Sequence, residues 1–378
     1  MTPQPPPRRF STPESRVPGP ATERLRDTLR RRGNDHEPVR RGFHTRTGLG
    51  WHDPTPPHLA AGRHLSIVIP ARNVGHCLWL VLDALAEQTV RDEFEVIVVD
   101  DASTDQTTAI AHSHPVVTQL IRIDEHAGAA TARNIGTAAA STDTIVYLDA
   151  DMVLPAHVIA DMSARAAADL VLIGFRHNLP FAERDRVWPS ALSHATDHGS
   201  NPGMSRAISP DLQADHRVRW RPPVGQRLLY SGLVFDEPID GRPLDHTRDL
   251  LELGFGRKYY DWDLPRMVVT ALLAVPRASV MDVGGFEPEF GRIGWGMEDT
   301  HLGANLIASG LLVVPLRQAV GFHLDPPDAA AQWKTKLAAW PRTLDHYRRL
   351  LESPAPTGRA GEFTAHINTL RHRCEVLR

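Results

Sequence analysis

The sequence predicts an α/β fold, a mostly parallel central sheet with helices on both faces. Two observations predict it. Short, nearly all-apolar runs recur from residue 65 to residue 175, with no polar side to present to water, as strands covered on both faces require. Segments with apolar residues at helical spacing separate them. Three of the runs stop at Pro70, Asp100 and Asp149. Open sheets of this kind bind ligands at the carboxyl ends of their strands, so these residues are placed along one crevice.

Residues 1 to about 60 are rich in Pro, Arg, Ser and Thr and poor in large apolar side chains. Such a segment buries too little surface to offset its ordering entropy, so a disordered tail is expected, with 21–32 as a stretch able to form a docked helix. LSIVIP, from residue 65, is the first strand, and 75–88 the first core helix, with Leu78, Val81, Leu82 and Leu85 at helical spacing. FEVIVV at 94–99 is the second strand, followed by Asp100 and Asp101, and Ser103-Thr104-Asp105 reads as a turn and helix start. A third strand covers 119–123, a small-residue helix 128–139, and a fourth strand 144–148. A helix over 155–167 and a strand over 169–173 follow. Residues 176–262 carry many Trp, Pro and Arg and read as an insertion of helices and loops. Regular structure resumes with VVTALLAV at 268–275, then the stretch from Gly284 through Gly310 and a strand over 311–314. A long helix over 328–352 contains Pro341 and places Trp333, Leu337, Trp340 and Leu344 on one side. A further helix is expected between 357 and 378.

The 378 residues suffice for a large core. The formal charge of -3 gives no support for nucleic acid as a partner. The two cysteines, Cys77 and Cys374, are far apart, which fits a reducing compartment rather than a disulfide framework. No stretch approaches the roughly 20 apolar residues of a bilayer span, and the first ten residues lack the apolar core of a signal peptide. The expectation is a cytoplasmic protein without integral membrane contact.

The chemistry centres on TIVYLDAD, residues 144–151, a strand ending in Asp149 and Asp151. Two carboxylates at a strand end suit a hard divalent cation able to bridge phosphates, although D-x-D also serves as an ordinary helix cap. Glu298 and Asp299 form a second pair after Gly294-Trp295-Gly296. They either accept hydrogen bonds from a bound hydroxyl or merely favour a helix N-terminus.

Four segments, IVIPARN (67–73), VVDDASTD (98–105), GAATARN (128–134) and YLDAD (147–151), together resemble the nucleotide-binding half of family-2 glycosyltransferases with the GT-A fold. The likeness covers about 64–175 and resumes at about 268–325. It divides the chain into a tail (1–60), a nucleotide-sugar-binding half (64–175), an insertion that could hold an acceptor (176–262), an acceptor and catalytic half (263–326) and C-terminal helices (327–378). The resemblance implies that Pro70 and Arg72 line the nucleobase pocket, where the family often has an aromatic residue in place of Arg72. Asp100 then accepts a hydrogen bond from the base, and Arg133 faces base or diphosphate, while Asn134 is structural. Asp151 is implied as the direct ligand of Mn2+ or Mg2+, Asp149 as a ribose or second ligand, and His323 as completing the metal shell. Asp325 and His301 are further candidates. The segment GWGMEDTHLG (294–303) resembles the acceptor side of galactosyltransferase-like enzymes, which implies Trp295 and Gly296 as acceptor contacts, Asp299 as general base and Glu298 as a sugar contact. The family usually has Gly where this chain has Met297. The implied activity is a metal-dependent, inverting transfer of sugar from a nucleotide diphosphate sugar, UDP-sugar favoured, to an acceptor hydroxyl. Sugar nucleotidyl transfer and non-catalytic nucleotide-sugar binding remain as other classes. The first wants a basic or Gly-rich phosphate loop after the opening strand, where this chain has PARNVGHC.

Overall fold

The computed structural model describes residues 23–53, 55–179, 228–229 and 263–378. In chain order the elements are α1 (Leu25–Arg31), α2 (Glu37–Thr47), β1 (Leu65–Ala71), α3 (Leu78–Ala86), β2 (Phe94–Asp101), α4 (Thr107–Ser113), β3 (Gln119–Ile123), α5 (Ala129–Ala139), β4 (Thr144–Leu148), β5 (Met152–Val153), α6 (Val158–Arg165), β6 (Leu170–Leu179) and β7 (Leu228–Leu229). Then come α7 (Asp263–Arg266), β8 (Leu272–Pro276), α8 (Arg277–Asp282), α9 (Glu289–Ile293), α10 (Glu298–Ala308), β9 (Leu312–Leu324), α11 (Ala329–Leu351), α12 (Ala360–Leu370) and β10 (Cys374–Val376). The expected class holds. One sheet runs in the order β10-β3-β2-β1-β4-β8-β6-β9-β5, with β7 beside β6. Strands β1 to β4 pair in parallel, as do β6 and β9, while β5, β7, β8 and β10 run against their neighbours.

The apolar runs feed two cores because strand side chains alternate between faces. Val96 and Val98 join Leu65, Ile67 and Ile69 on the face covered by α2, α3 and α6. Ile97 and Val99 join Val68 and Tyr147 on the other, under α5 and α10. This alternation continues past the apolar run and decides which way each following carboxylate points.

The expected disorder through about residue 60 does not extend to 23–53 or 55–60. Leu25 and Leu29 are buried in one core and Phe43 and Trp51 in the other. Few apolar residues suffice because polar ones complete the anchoring. The Asn34 side chain donates to Val313 O (2.9 Å) and accepts from Val313 N (2.8 Å), extending the edge of β9. Buried Arg165 donates to Trp51 O (2.7 Å) and lies over the Phe43 ring at 4.5 Å. The chain end also differs from expectation. Helix α12 stops at Leu370, and β10 pairs antiparallel with β3. Strand β6 runs on through 176–179, into what was read as insertion, because β9 continues alongside it as far as Leu324. Helix α11 accommodates Pro341 within its 23 residues.

Candidate active site

The carboxyl ends of β1, β2 and β4 open into a cleft of about 680 Å³, closed on the far side by the start of α10 and the first half of α11. Its floor begins at a tight turn. After β4 the Met152 amide donates to Asp149 O (3.1 Å), which turns the chain into β5, and β5 pairs with β9 so that Met152 lies opposite His323. Sequence-distant His323 is thereby delivered to the carboxylates. One ligand atom from each of Asp149, Asp151 and His323 fits within 4.8 Å of the others. His323 Nε2 lies 3.3 Å from Asp151 Oδ1, and both Asp151 Oδ1 and His323 Nδ1 are buried without a hydrogen-bond partner among the described residues.

The electrostatics of these three groups differ. Burial, then the neighbouring Asp149 charge, pushes Asp151 up to about 7. Burial also acts against the Asp149 carboxylate, but Arg133, with Arg176 adding to it, overrides it and holds Asp149 below its ordinary value. Burial and Arg176 push His323 down to about 3, leaving a neutral imidazole. A neutral imidazole and two carboxylates, one of them with an unsatisfied buried oxygen, form a donor set suited to a divalent cation.

The opposite wall is built by the turn before α10. Gly294 and Gly296 have positive φ, and a Cβ on Gly294 would meet the Ala339 Cβ at 2.4 Å, so α11 packs directly on this turn. Met297 also has positive φ (75°), the left-handed region that favours glycine. Trp295 borders the cleft, 6.5 Å from Trp340 between ring centroids, with Lys336 Nζ 5.2 Å from its own ring centroid. The turn ends in Glu298 and Asp299. Burial, then Asp299, pushes Glu298 up to about 7. Burial also raises Asp299, against the opposing pull of Arg133 and two hydrogen bonds from Thr270.

Arg133 joins the two walls. Its Nη2 donates to Asp149 Oδ1 (2.9 Å), and its Nη1 lies 3.6 Å from both Glu298 Oε1 and Asp299 Oδ1. The residue is 5% exposed, with its guanidinium 5.6 Å from the centre of the Phe286 ring. Burial lowers its proton affinity, yet Asp299, Asp149 and Glu298 more than compensate, so it stays charged. Neighbouring Asn134 pins that floor, donating to Phe286 O and accepting from Phe286 N, both at 2.8 Å.

Most of the expected residues meet here: Pro70, Arg72, Arg133, Asp149, Asp151, Trp295, Gly296, Glu298, Asp299 and His323 all line the cleft. Asp100 does not. It is fully buried, accepting from Ser103 N (2.9 Å), Arg122 Nη1 (2.7 Å) and the Thr108 hydroxyl, so it locks the loop after β2. Asp101, one residue on and therefore on the opposite face, borders the cleft instead. It accepts from Ala127 N (2.7 Å), Gly128 N (2.9 Å) and His126 Nδ1 (2.7 Å). Arg133 reaches the cleft, with its Nη2 bound to Asp149 and its Nη1 turned toward Glu298 and Asp299 at 3.6 Å. Asp325 borders the cleft, whereas His301 is buried beside Phe290 and Asn305. The aromatic residues of the insertion, Trp188, Trp220, Tyr259, Tyr260 and Trp262, which interleave with Arg and Asp as an acceptor pocket or an inserted subdomain's own small core would require, lie outside the described residues. Sequence reasoning missed Arg176, Arg266, Lys336 and Thr270. The first three border the cleft. Arg176 and Lys336 sit in an ordinary strand and helix, and Thr270 in a loop, with no local signal.

The chain matches the family description Glycosyl transferase family 2 over residues 66–212. It is similar to the uncharacterized glycosyltransferase YfnE of Bacillus subtilis (26% identity over 273 residues, 69% of this chain and 65% of that protein). It is also similar to a validoxylamine A glucosyltransferase of Streptomyces hygroscopicus subsp. jinggangensis (28% identity, 68% of this chain and 55% of that protein). The chain thus spans between about half and two thirds of the length of these relatives. Among solved structures, a mannosyltransferase from Pyrobaculum calidifontis aligns with a TM-score of 0.45 and 18% identity, covering 91% of this chain and 81% of that one. No helix among the described residues is long and apolar enough to cross a membrane.

Proposed function

We propose that the chain catalyses a metal-dependent, inverting transfer of a sugar from a nucleotide diphosphate sugar to an acceptor hydroxyl, with a UDP-sugar as the favoured donor. The observation that carries this reading is a single cleft with two carboxylate-bearing walls, Asp149, Asp151 and His323 on one and Glu298 and Asp299 on the other, joined through Arg133. An inverting transfer needs a proton acceptor on one side of the sugar and charge compensation for the leaving diphosphate on the other.

Asp151 and His323, with Asp149, would hold Mn2+ or Mg2+, which when bound supplies positive charge to the diphosphate. Pro70 and Arg72 border the nucleobase end, and Asp101 with His126 takes the place expected of Asp100. Trp295 offers an apolar face to a pyranose ring, and Gly296 leaves room beside it. Asp299 takes the acceptor proton. Glu298 contacts a sugar hydroxyl. Arg133 holds Asp149 charged and, placed between the two walls, offsets part of the cost of burying Glu298 and Asp299 before substrate arrives.

The test is incubation of the protein with UDP-, GDP- and dTDP-sugars and an acceptor panel, with and without Mn2+. The expected outcome is metal-dependent release of a nucleoside diphosphate with transfer. Pyrophosphate release would instead indicate nucleotidyl transfer. Asp299→Asn should abolish transfer while donor binding persists, and near-normal turnover by that variant would remove Asp299 from the role of base.

A further inference from the structure

Asp299 does not meet the cleft as a freely rotating carboxylate. The Thr270 hydroxyl donates to its Oδ1 (2.8 Å) and the Thr270 amide donates to its Oδ2 (3.2 Å), so one residue grips both oxygens. Thr270 is fully buried in the loop between α7 and β8, with Val268 equally buried two residues earlier. That loop lies against α10. At Gly303, one helical turn beyond Asp299, a Cβ would come within 2.7 Å of the Val268 Cβ and 2.9 Å of Pro265 O. The missing side chain therefore sets the approach that lets Thr270 reach Asp299. Glu298 has no such clamp among the described residues; its nearest charged partner is Arg133 at 3.6 Å.

We propose that Thr270 is the positioning residue that makes Asp299, rather than its neighbour Glu298, the proton acceptor. This rests on the function proposed above. Oδ1 accepts the shorter bond, from the Thr270 hydroxyl, and lies 3.6 Å from Arg133 Nη1, and Oδ2, which takes the longer bond, is left for the acceptor. In the step it serves, the acceptor hydroxyl gives its proton to Asp299 and its oxygen forms the new bond to the anomeric carbon. The electron pair of the breaking anomeric C–O bond leaves with the nucleoside diphosphate. The charged groups acting on Asp299 are Arg133 on α5, Asp149 after β4 and Glu298 on its own helix, while Arg266 of α7 borders the same cleft.

The experiment compares Thr270→Val, which keeps shape and amide but loses the hydroxyl, with Thr270→Ser, which keeps both donors. Thr270→Val should lower kcat about ten- to hundredfold, the loss expected for one hydrogen bond to a charged group, with UDP–Mn2+ affinity and Tm near those of the unaltered protein. Its acidic limb of kcat/KM should move to higher pH, because a carboxylate that loses a donor holds its proton more tightly. Thr270→Ser should restore both. A readout independent of turnover is the 13C titration of the Asp299 carboxyl, assigned by its absence from Asp299→Asn, which should move upward in Thr270→Val and return in Thr270→Ser. Unchanged kcat and an unchanged titration in Thr270→Val would overturn the proposal, as would a serine variant as impaired as the valine one, which would mark a packing role. If the unaltered protein releases no nucleoside diphosphate from any donor, the parent function fails and the proposal with it. Failure confined to the Thr270 comparison overturns the proposal alone.

Discussion

Replacing Arg133 with Met tests the electrostatic reasoning most directly. The side chain keeps a similar length and apolar stem, so packing on Phe286 is largely retained, while the charge between three carboxylates disappears. Those carboxylates lie 2.9, 3.6 and 3.6 Å from the guanidinium, and Arg133 is 5% exposed. Removing one partner of a buried ion cluster costs about 3–5 kcal/mol, because the remaining charges stay desolvated. The loss should depend on pH, and its sign follows from the individual groups. Asp149 is held below its ordinary value, so it contributes stability above its unfolded pKa that is lost as pH falls through its folded one. Without Arg133 that contribution vanishes at neutral pH. Glu298 and Asp299, already raised, rise further, and a raised carboxylate destabilises the fold increasingly as pH climbs through its folded value. All three groups act in the same direction, so the deficit should be largest near pH 8 and shrink toward pH 4.5. Urea unfolding of both proteins across that range measures it, at constant ionic strength and without divalent cation. A deficit of the same size at both ends would refute the electrostatic account and leave lost packing as its cause.

The remaining predictions concern the cation site and the floor beneath Arg133. UDP with Mn2+ should stabilise the protein by about 2.7 kcal/mol at a hundredfold excess over Kd, read as a Tm increase. Asp151→Asn and His323→Ala should each lose most of the Mn2+-dependent part; a full shift in both variants would place the cation elsewhere. Gly285→Ala should destabilise by about 2–4 kcal/mol, combining a left-handed backbone (φ 74°) with a Cβ 2.5 Å from Asn134 Oδ1 and 2.7 Å from the Phe363 ring. A loss below about 1 kcal/mol in urea unfolding would mean that the Asn134–Phe286 clamp yields at little cost.

Local pattern made much of the molecule legible. Strands over 94–99, 119–123 and 144–148 lie within the observed elements, because an apolar run long enough for a strand and too short for a helix carries its own signature. The N-terminal segment was misread for a matching reason. Composition counts apolar residues, but Leu25, Leu29, Phe43 and Trp51 are few and well placed, and the rest of the anchoring comes from Asn34, bonded to Val313 across the fold, and from Arg165 on α6. Strand β10 escaped notice because its three residues become a strand only by pairing with β3.

In the site, the sequence by itself determined two local groupings: a strand ending in Asp149 and Asp151, and a glycine-rich turn ending in Glu298 and Asp299. These are short-range facts, and the turn needs its glycines for local backbone reasons. Only the tertiary structure decided orientation and partnership. It turned Asp100 into the loop with Arg122 and gave the cleft to Asp101, because adjacent strand residues face opposite ways and the phase is set by packing. It closed Arg133 between the two walls, and it brought Thr270 to Asp299 through the bare backbone of Gly303. Such contacts join residues 16 to 166 positions apart, and no local pattern records them.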